Sequence, residues 1–236
     1  TYWVGNDLRE LQALADALPD RWVLKPNHSA GRFCLIEARP TTIEWERLIR
    51  TCSSWVEPDE EENAFGHWAY GQARHLLIAE ERIGPGPLPP NDLKVSCADG
   101  VPVYYFWADR SAVPTLYAFF TPNGRRFHWG DEGETSVTVD VETMQPPRHL
   151  RERMMHIASA IAEPFDCIRV DFYVDDETLW FGELTLYGAG GLYTIAQENN
   201  ERFGSLWKLP DLAAPDPREA EWRALLADTP KGTLQR

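Results

Sequence analysis

Apolar positions along this chain change period several times, and each change marks an element. Leu8, Leu11, Leu14 and Leu18 recur at helical spacing behind Asn6-Asp7, a suitable N-cap, and Pro19-Asp20 closes the segment. RWVLKP then reads as a strand, NHSAGR as a tight loop and FCLIEA as a second strand. The stretch 41–55 predicts a helix opening on Thr41-Thr42, with Ile43, Leu48 and Ile49 as its apolar positions. The acidic run 57–62 reads as a solvated loop. HLLIAEERI predicts another strand, and GPGPLPP behind it a stiff linker whose prolines donate nothing to a sheet.

Beyond that linker, DLKVSCADG, VPVYYFWADR and TLYAFFTPNG predict three strands, with Asp99-Gly100 and Asn123-Gly124 as hairpin signals. Leu150, Met154, Ile157, Ala158 and Ile161 form one helix face. It leads into IRVDFYVDDETLWFGELT, two strands of a hairpin. Ile168, Val170, Phe172 and Val174 share one face of the first strand, and Arg169, Asp171 and Tyr173 the other. A turn near Glu177 would set Asp171 opposite Glu183, beside Gly182. The expected organisation is a first subdomain over 1–84, a linker over 85–91, a second subdomain over 92–208 and a tail over 209–236 with one short helix at 217–227.

Composition narrows the partners. With 43% hydrophobic and 12% aromatic residues the chain is a folded one with a true core. Its formal charge of −14 argues against nucleic acid and anionic membrane as partners, while leaving room for a local basic pocket. No run is long enough to span a membrane and none reads as a signal peptide, so a cytoplasmic protein is expected. Four cysteines without zinc spacing read as free thiols in a reducing compartment, and six histidines show no HExxH pattern. The chain opens on Thr1 in what reads as the interior of a domain. An upstream domain, or a second copy in a homodimer, is therefore expected to complete the protein.

Three groups of polar residues carry candidate chemistry. Lys25 closes a strand and leads into a small-residue turn whose backbone N–H groups could cradle phosphate, although an ordinary hairpin turn would look the same. The acids ending HLLIAEERI could accept from ribose hydroxyls or an amino group, or simply end an exposed strand. Asp92 and Lys94 share a strand face, and Arg110 closes the next strand, as cations at an anion site or at a protected sheet edge. Two facing carboxylates in the hairpin suit Mg2+, which takes one or two protein carboxylates and completes its shell with water and phosphate. A solvated salt-bridge patch would use the same residues.

In chain order these segments resemble the TupA-like ATP-grasp family, named for teichuronopeptide biosynthesis. The resemblance lies in LPDRWVLKPNHSAG, LLIAEERI, DLKVSCADGVPVYYFWADR, PFDCIRVDFYV and LWFGELTLYGAGGL, over residues 15 to 195. It implies an α+β ATP-grasp fold, two subdomains with mainly antiparallel sheets clasping ATP between them, and a pre-ATP-grasp region that this sequence lacks. It implies that Lys25 binds the ATP phosphates while His28, Ser29, Ala30 and Gly31 close over them. Glu80, Glu81 and Ile83 would lie at adenine and ribose, with Asp92 a second candidate for the ribose. Lys94 and Arg110 would line the phosphate or acyl-phosphate region, Asp171 and Glu183 would hold Mg2+, and Arg169 would steady the transferred phosphate. Thr185 stands where many ATP-grasp enzymes carry an Asn metal ligand.

The activity so implied is carboxylate–amine ligation: ATP phosphorylates an acid, and an amine attacks the acyl phosphate to form an amide or peptide bond. Cell-surface polysaccharide or a sugar-acid conjugate is the implied substrate setting. Two alternatives stay open, a kinase acting on a hydroxyl with Asp109 or Asp131 as base, and a nucleotide binder without turnover. The glycines 188, 190 and 191 would give a flexible segment over the site, where Tyr104, Trp107 and Trp180 could stack on a sugar or base.

Overall fold

Strand pairing sorts the chain into two antiparallel sheets. The computed structural model describes residues 1–29, 31–57, 70–71, 73–84, 86, 92–109, 116–130, 145–175, 177–186, 188–191 and 195–209, with a few positions beyond. Two compact units result, one built on Thr1–Arg82 and one on Ile83–Asp211.

In the first unit, β1 (Trp3–Gly5), β2 (Trp22–Pro26), β3 (Cys34–Ile36) and β4 (Leu77–Glu81) pair in the order β1-β4-β2-β3. Alternation along β2 sends Trp22, Leu24 and Pro26 inward and leaves Val23 and Lys25 on the other face. Helix α1 (Leu8–Ala13) starts where the Asp7 carboxylate accepts the Arg9 N–H at 2.9 Å. It is shorter than the leucine spacing predicts: the chain tightens into a 3-10 turn over Ala15–Ala17, yet Leu18 is still buried. Helix α2 (Thr42–Cys52) has Thr41 as its cap, with Glu44 returning the bond to the Thr41 N–H at 2.7 Å.

Two of the three apolar positions named for α2 join its buried stripe and one does not. Trp45 and Cys52 are buried, with Leu48 and Ile49 packed beside them, whereas Ile43 is 77% exposed. Positions 45, 48, 49 and 52 make one helical stripe, and 43 lies off it. Trp45 stacks on Trp22 at 5.9 Å, joining the helix to the sheet. Replacing Thr41 with Ala removes the hydroxyl that accepts the Glu44 N–H while the residue 41 N–H can still donate to Glu44, and should destabilise this unit by about 1 kcal/mol in urea unfolding. An unchanged midpoint would show that the packed stripe alone holds the helix end.

In the second unit, β5 (Asp92–Ala98), β6 (Val101–Asp109), β7 (Leu116–Phe120), β8 (Arg126–Phe127), β9 (Cys167–Asp175) and β10 (Thr178–Thr185) form a sheet of order β10-β9-β5-β6-β7-β8. Asp99 and Gly100 both take positive φ (48° and 75°), as a two-residue hairpin turn requires. Helix α3 (Arg148–Ala162) lays Leu150, Met154, Ala158 and Ala162 inward at four-residue spacing. The last three of these pack with Val95, Val170 and Phe172, so α3 covers one face of the sheet. On the opposite face, Phe203 of helix α4 (Gln197–Gly204) meets Tyr104, Phe127 and Trp129 in an aromatic cluster. Of the remaining sequence expectations, Arg110, Asp131, Ala30, the run 58–69 and most of 85–91 and of the helix at 217–227 lie outside the described residues.

Candidate active site

On the face of the second sheet that α3 leaves uncovered, three neighbouring strands bring charges together. Register pairs Lys94 of β5 with Asp171 of β9, and Asp171 in turn with Glu183 of β10. Asp92 and Ser96 flank Lys94 on the same face, opposite Tyr173 and Arg169. The three central groups are almost dry: Asp92, Lys94 and Asp171 are 4%, 5% and 2% exposed.

Buried charge demands pairing, and the cluster provides it. Lys94 Nζ lies 2.5 Å from Asp92 Oδ2 and donates to Asp171 Oδ2 on its other side. Arg169 forks onto the same carboxylate, Nε to Oδ1 at 2.7 Å and Nη2 to Oδ2 at 2.8 Å. The same Nη2 donates to Thr185 Oγ1 at 2.9 Å and reaches Glu183 Oε1 at 3.5 Å. Its guanidinium carbon stands 5.8 Å over the Phe106 ring. Burial pushes the Asp171 carboxyl up, but the Arg169 hydrogen bonds and charge, and then Lys94, outweigh it and hold it below the usual carboxylate range. Glu183 goes the other way. Its side chain is 59% exposed, yet partial desolvation at the sheet and then the Asp171 charge raise its carboxyl.

The meeting of Asp171 and Glu183 depends on a β-bulge. Near the turn Thr178 pairs with Asp175 and Phe181 with Phe172, a register that would place Gly182 opposite Asp171 and Glu183 opposite Val170 on the helix side. A shift between Phe181 and Glu183 restores Glu183 to Asp171. Gly182 permits it: a Cβ there would stand 3.1 Å from the Asp171 carbonyl oxygen and 3.2 Å from the Tyr173 ring.

In the first unit, Lys25 Nζ pairs with Glu80 at 2.5 Å, both side chains about a quarter exposed (26% and 29%). Cross-strand register sets Glu80 opposite Val23 and Glu81 opposite Trp22, so the two acids leave β4 on opposite faces. Only Glu80 shares the face of Lys25. Ile83 is the first residue of the second unit and half-buried. The loop after β2 is tied to the chain entering β4 by Asn27, a residue the sequence reading passed over. Its N–H donates to Leu76 O at 3.0 Å, its Oδ1 accepts the Leu76 N–H at 2.8 Å, and its Nδ2 donates to Arg74 O at 2.9 Å. Asn at the end of a strand, before small residues, is the available signal. Gly31 takes φ +73°, a conformation that suits glycine.

His28 points inward, 3% exposed, with Nδ1 2.9 Å from Asn27 Oδ1 and its ring stacked on His75 at 3.7 Å. Burial and then the His75 charge lower it from 6.5 to about 4. The sign follows by linkage. An unfolded histidine takes up a proton below 6.5 and the folded one does not, so stability is intact above 6.5 and lost as pH falls towards 4. The expected loss from this group is roughly 2–3 kcal/mol. Urea unfolding of the first unit should show that slope and His28→Phe should flatten it; equal slopes would show that His28 titrates normally.

For Mg2+, the described residues contain no group of three or more His, Cys, Asp or Glu placed as a cage. The ion needs fewer: two carboxylates facing across strands with a hydroxyl nearby are hard oxygen donors of the right kind, and phosphate and water complete the shell. Asp171, Glu183 and Thr185 therefore fit it. Of the remaining candidates, Trp180 shares the charged face opposite Tyr173, Tyr104 is on the same face but enclosed by Phe119, Trp129 and Phe203, Asp109 ends β6, Trp107 packs against the core, and Gly188–Gly191 form a 3-10 turn.

This α+β chain with its two antiparallel sheets is of the ATP-grasp class, as the match of its sequence shows. Within it, the chain belongs to the TupA-like ATPgrasp family, whose model matches residues 3–208. No curated protein matches it in sequence. Among solved structures it is similar to D-alanine–D-alanine ligase from Bacillus anthracis complexed with ATP (16% identity, 72% of this chain and 43% of that one, TM-score 0.41). It is also similar to the ATP-grasp ligase PsnB complexed with minimal precursor, Mg and ADP (12%, 95% and 51%, TM-score 0.39). D-Alanine–D-alanine ligase from Helicobacter pylori is a third (13%, 89% and 56%, TM-score 0.41). The chain spans about half the length of these proteins. Among the described residues, no helix is long and apolar enough to cross a membrane.

Proposed function

We propose that this protein is an ATP-dependent carboxylate–amine ligase that forms an amide or peptide bond through an acyl phosphate. The observation that carries the reading is the gathering of Lys94, Arg169, Asp171 and Glu183 on one sheet face of a chain of this family. Acyl-phosphate chemistry needs no protein nucleophile. It needs cations near developing phosphate charge, and carboxylates to hold a hard metal.

Each residue then has a role. Lys94 and Arg169 meet phosphate oxygens, exchanging part of their present contact with Asp171 for them. Asp171 and Glu183 hold Mg2+, with Thr185 contributing directly or through water, and bound there the ion would neutralise charge on the nucleotide. In the first unit Lys25 meets ATP phosphates and Glu80 the nucleoside, with the loop 28–31 beside them. As working domains we take 1–84 and 92–208, joined by the linker 85–91 and followed by the tail 209–236. The substrates we infer are an acid and an amine of a cell-surface polysaccharide or sugar-acid conjugate, joined in the cytoplasm where ATP is at hand.

Mass spectrometry of products from candidate acid–amine pairs with ATP tests the reaction. An amide formed with ADP and phosphate supports ligation. A phosphate ester on a hydroxyl would replace this reading with that of a kinase.

A further inference from the structure

Away from the charged sheet face, two thiols meet in the first unit. Cys34 opens β3, the edge strand of its sheet, and Cys52 ends α2, and their sulfurs are 3.7 Å apart. Cys52 is fully buried in the core, while Cys34 is half-buried and reachable from the edge. The other two cysteines are set differently: Cys97 sits on the helix-covered face of the second sheet, and register pairs it with Ile168 rather than Cys167.

We propose that Cys34 and Cys52 are a redox-modification site that closes to an intrachain disulfide on reaction with a hydroperoxide. A disulfide needs the sulfurs at about 2.05 Å, so they must close by somewhat under 2 Å, within reach of side-chain rotation.

The two sulfurs have distinct parts. A hydrogen bond from Cys52 lowers Cys34 to about 7, with Arg47 assisting, whereas that same bond and burial raise Cys52 well above the usual thiol range. The C-terminal end of α2 is also the negative end of the helix dipole, which keeps Cys52 protonated. Cys34 is therefore the attacking thiolate and Cys52 the resolving thiol. Burial, and then the charge of Cys167, pushes Cys97 up to about 12, and burial with the Asp166 charge raises Cys167, so neither competes.

The steps balance. The Cys34 thiolate attacks the outer peroxide oxygen; an S–O bond forms, the O–O bond breaks, and the departing alkoxide takes a proton. Cys34 is oxidised by two electrons to the sulfenic acid and the peroxide is reduced to an alcohol, or to water for hydrogen peroxide. Cys52 then loses its proton and attacks the Cys34 sulfur. The S–S bond forms, the S–O bond breaks, and hydroxide leaves with that proton as water. The new bond would pin the start of β3, just after the loop that follows β2, to the end of α2.

The test uses the reduced full chain, hydrogen peroxide at low equivalents, alkylation of remaining thiols, and peptide mapping without reductant. The expected product is two hydrogens lighter, links the Cys34 and Cys52 peptides, reverts with dithiothreitol, and leaves Cys97 and Cys167 alkylated. Cys52→Ser should instead accumulate Cys34 sulfenic acid that dimedone traps. In the unaltered chain, Cys34 alkylation should follow a pH profile centred near 7. Oxidation falling first on Cys97 or Cys167, disulfides only between chains, or a Cys34 profile at ordinary thiol pH would each overturn the proposal.

Discussion

Replacing Lys94 with methionine should destabilise the second unit by about 3–5 kcal/mol and abolish measurable ATP binding. Lys94 is 5% exposed and stands between Asp92 and Asp171, themselves nearly dry. Its removal leaves two buried carboxylates with one fewer cation, while Arg169 keeps its fork on Asp171. Methionine keeps most of the volume, so the loss reports charge rather than packing. A second substitution separates folding from function. Adding Asp92→Asn to Lys94→Met removes one of the stranded charges and should recover much of the stability, while ATP binding stays lost. Urea unfolding and calorimetry read the two effects. A loss below 1 kcal/mol in the single variant would mean the cluster is far better hydrated than its burial indicates.

Gly182→Val should have the second largest effect. It is expected to destabilise the hairpin by about 1–3 kcal/mol and to weaken the Mg2+-dependent part of ATP binding at least about tenfold. The first carbon of any side chain at this position meets the Asp171 carbonyl oxygen at 3.1 Å and the Tyr173 ring at 3.2 Å. Relieving that contact opens the bulge, and the bulge alone sets Glu183 opposite Asp171 rather than Val170. Gly182→Ala should show the same defect in milder form. A variant that keeps full Mg2+-dependent binding would show that the carboxylates need no fixed register.

These two residues also mark what could be read in the sequence. The longer strands of both sheets are legible, because alternation in RWVLKP, DLKVSCADG and IRVDFYV separates the buried face from the polar one. The facing of Asp171 and Glu183 was also expected, from a turn centred near Glu177. The structure turns one position tighter, pairing Asp175 with Thr178, and recovers the register at Gly182. Period-two counting cannot show a bulge, although a glycine inside a strand is its usual sign. Likewise β1 is three residues long, too short to display a period, and its place beside β4 is fixed by a long-range pairing. On α2, Ile43 is apolar but off the phase that Trp45 and Cys52 define, so it stays exposed. Glu80 and Glu81, adjacent in sequence, were grouped as one candidate; on a strand, adjacency means opposite faces.

The cluster itself was legible only in parts. Asp92, Lys94, Arg169 and Asp171 are each visible as polar residues interrupting apolar strands. That Lys94 bridges two carboxylates while Arg169 forks onto one of them depends on β5 lying between β6 and β9, which no local pattern reveals.

In the proposed reading Asp171 and Glu183 hold the metal that accompanies ATP. Calorimetry of ATP binding, with and without Mg2+, on the unaltered chain, Asp171→Asn and Glu183→Gln tests it most directly, with circular dichroism confirming that each variant folds. The unaltered chain should bind ATP more tightly with Mg2+, and each substitution should remove most of that gain while leaving metal-free binding nearly unchanged. Folded variants that keep the full Mg2+-dependent gain would contradict it.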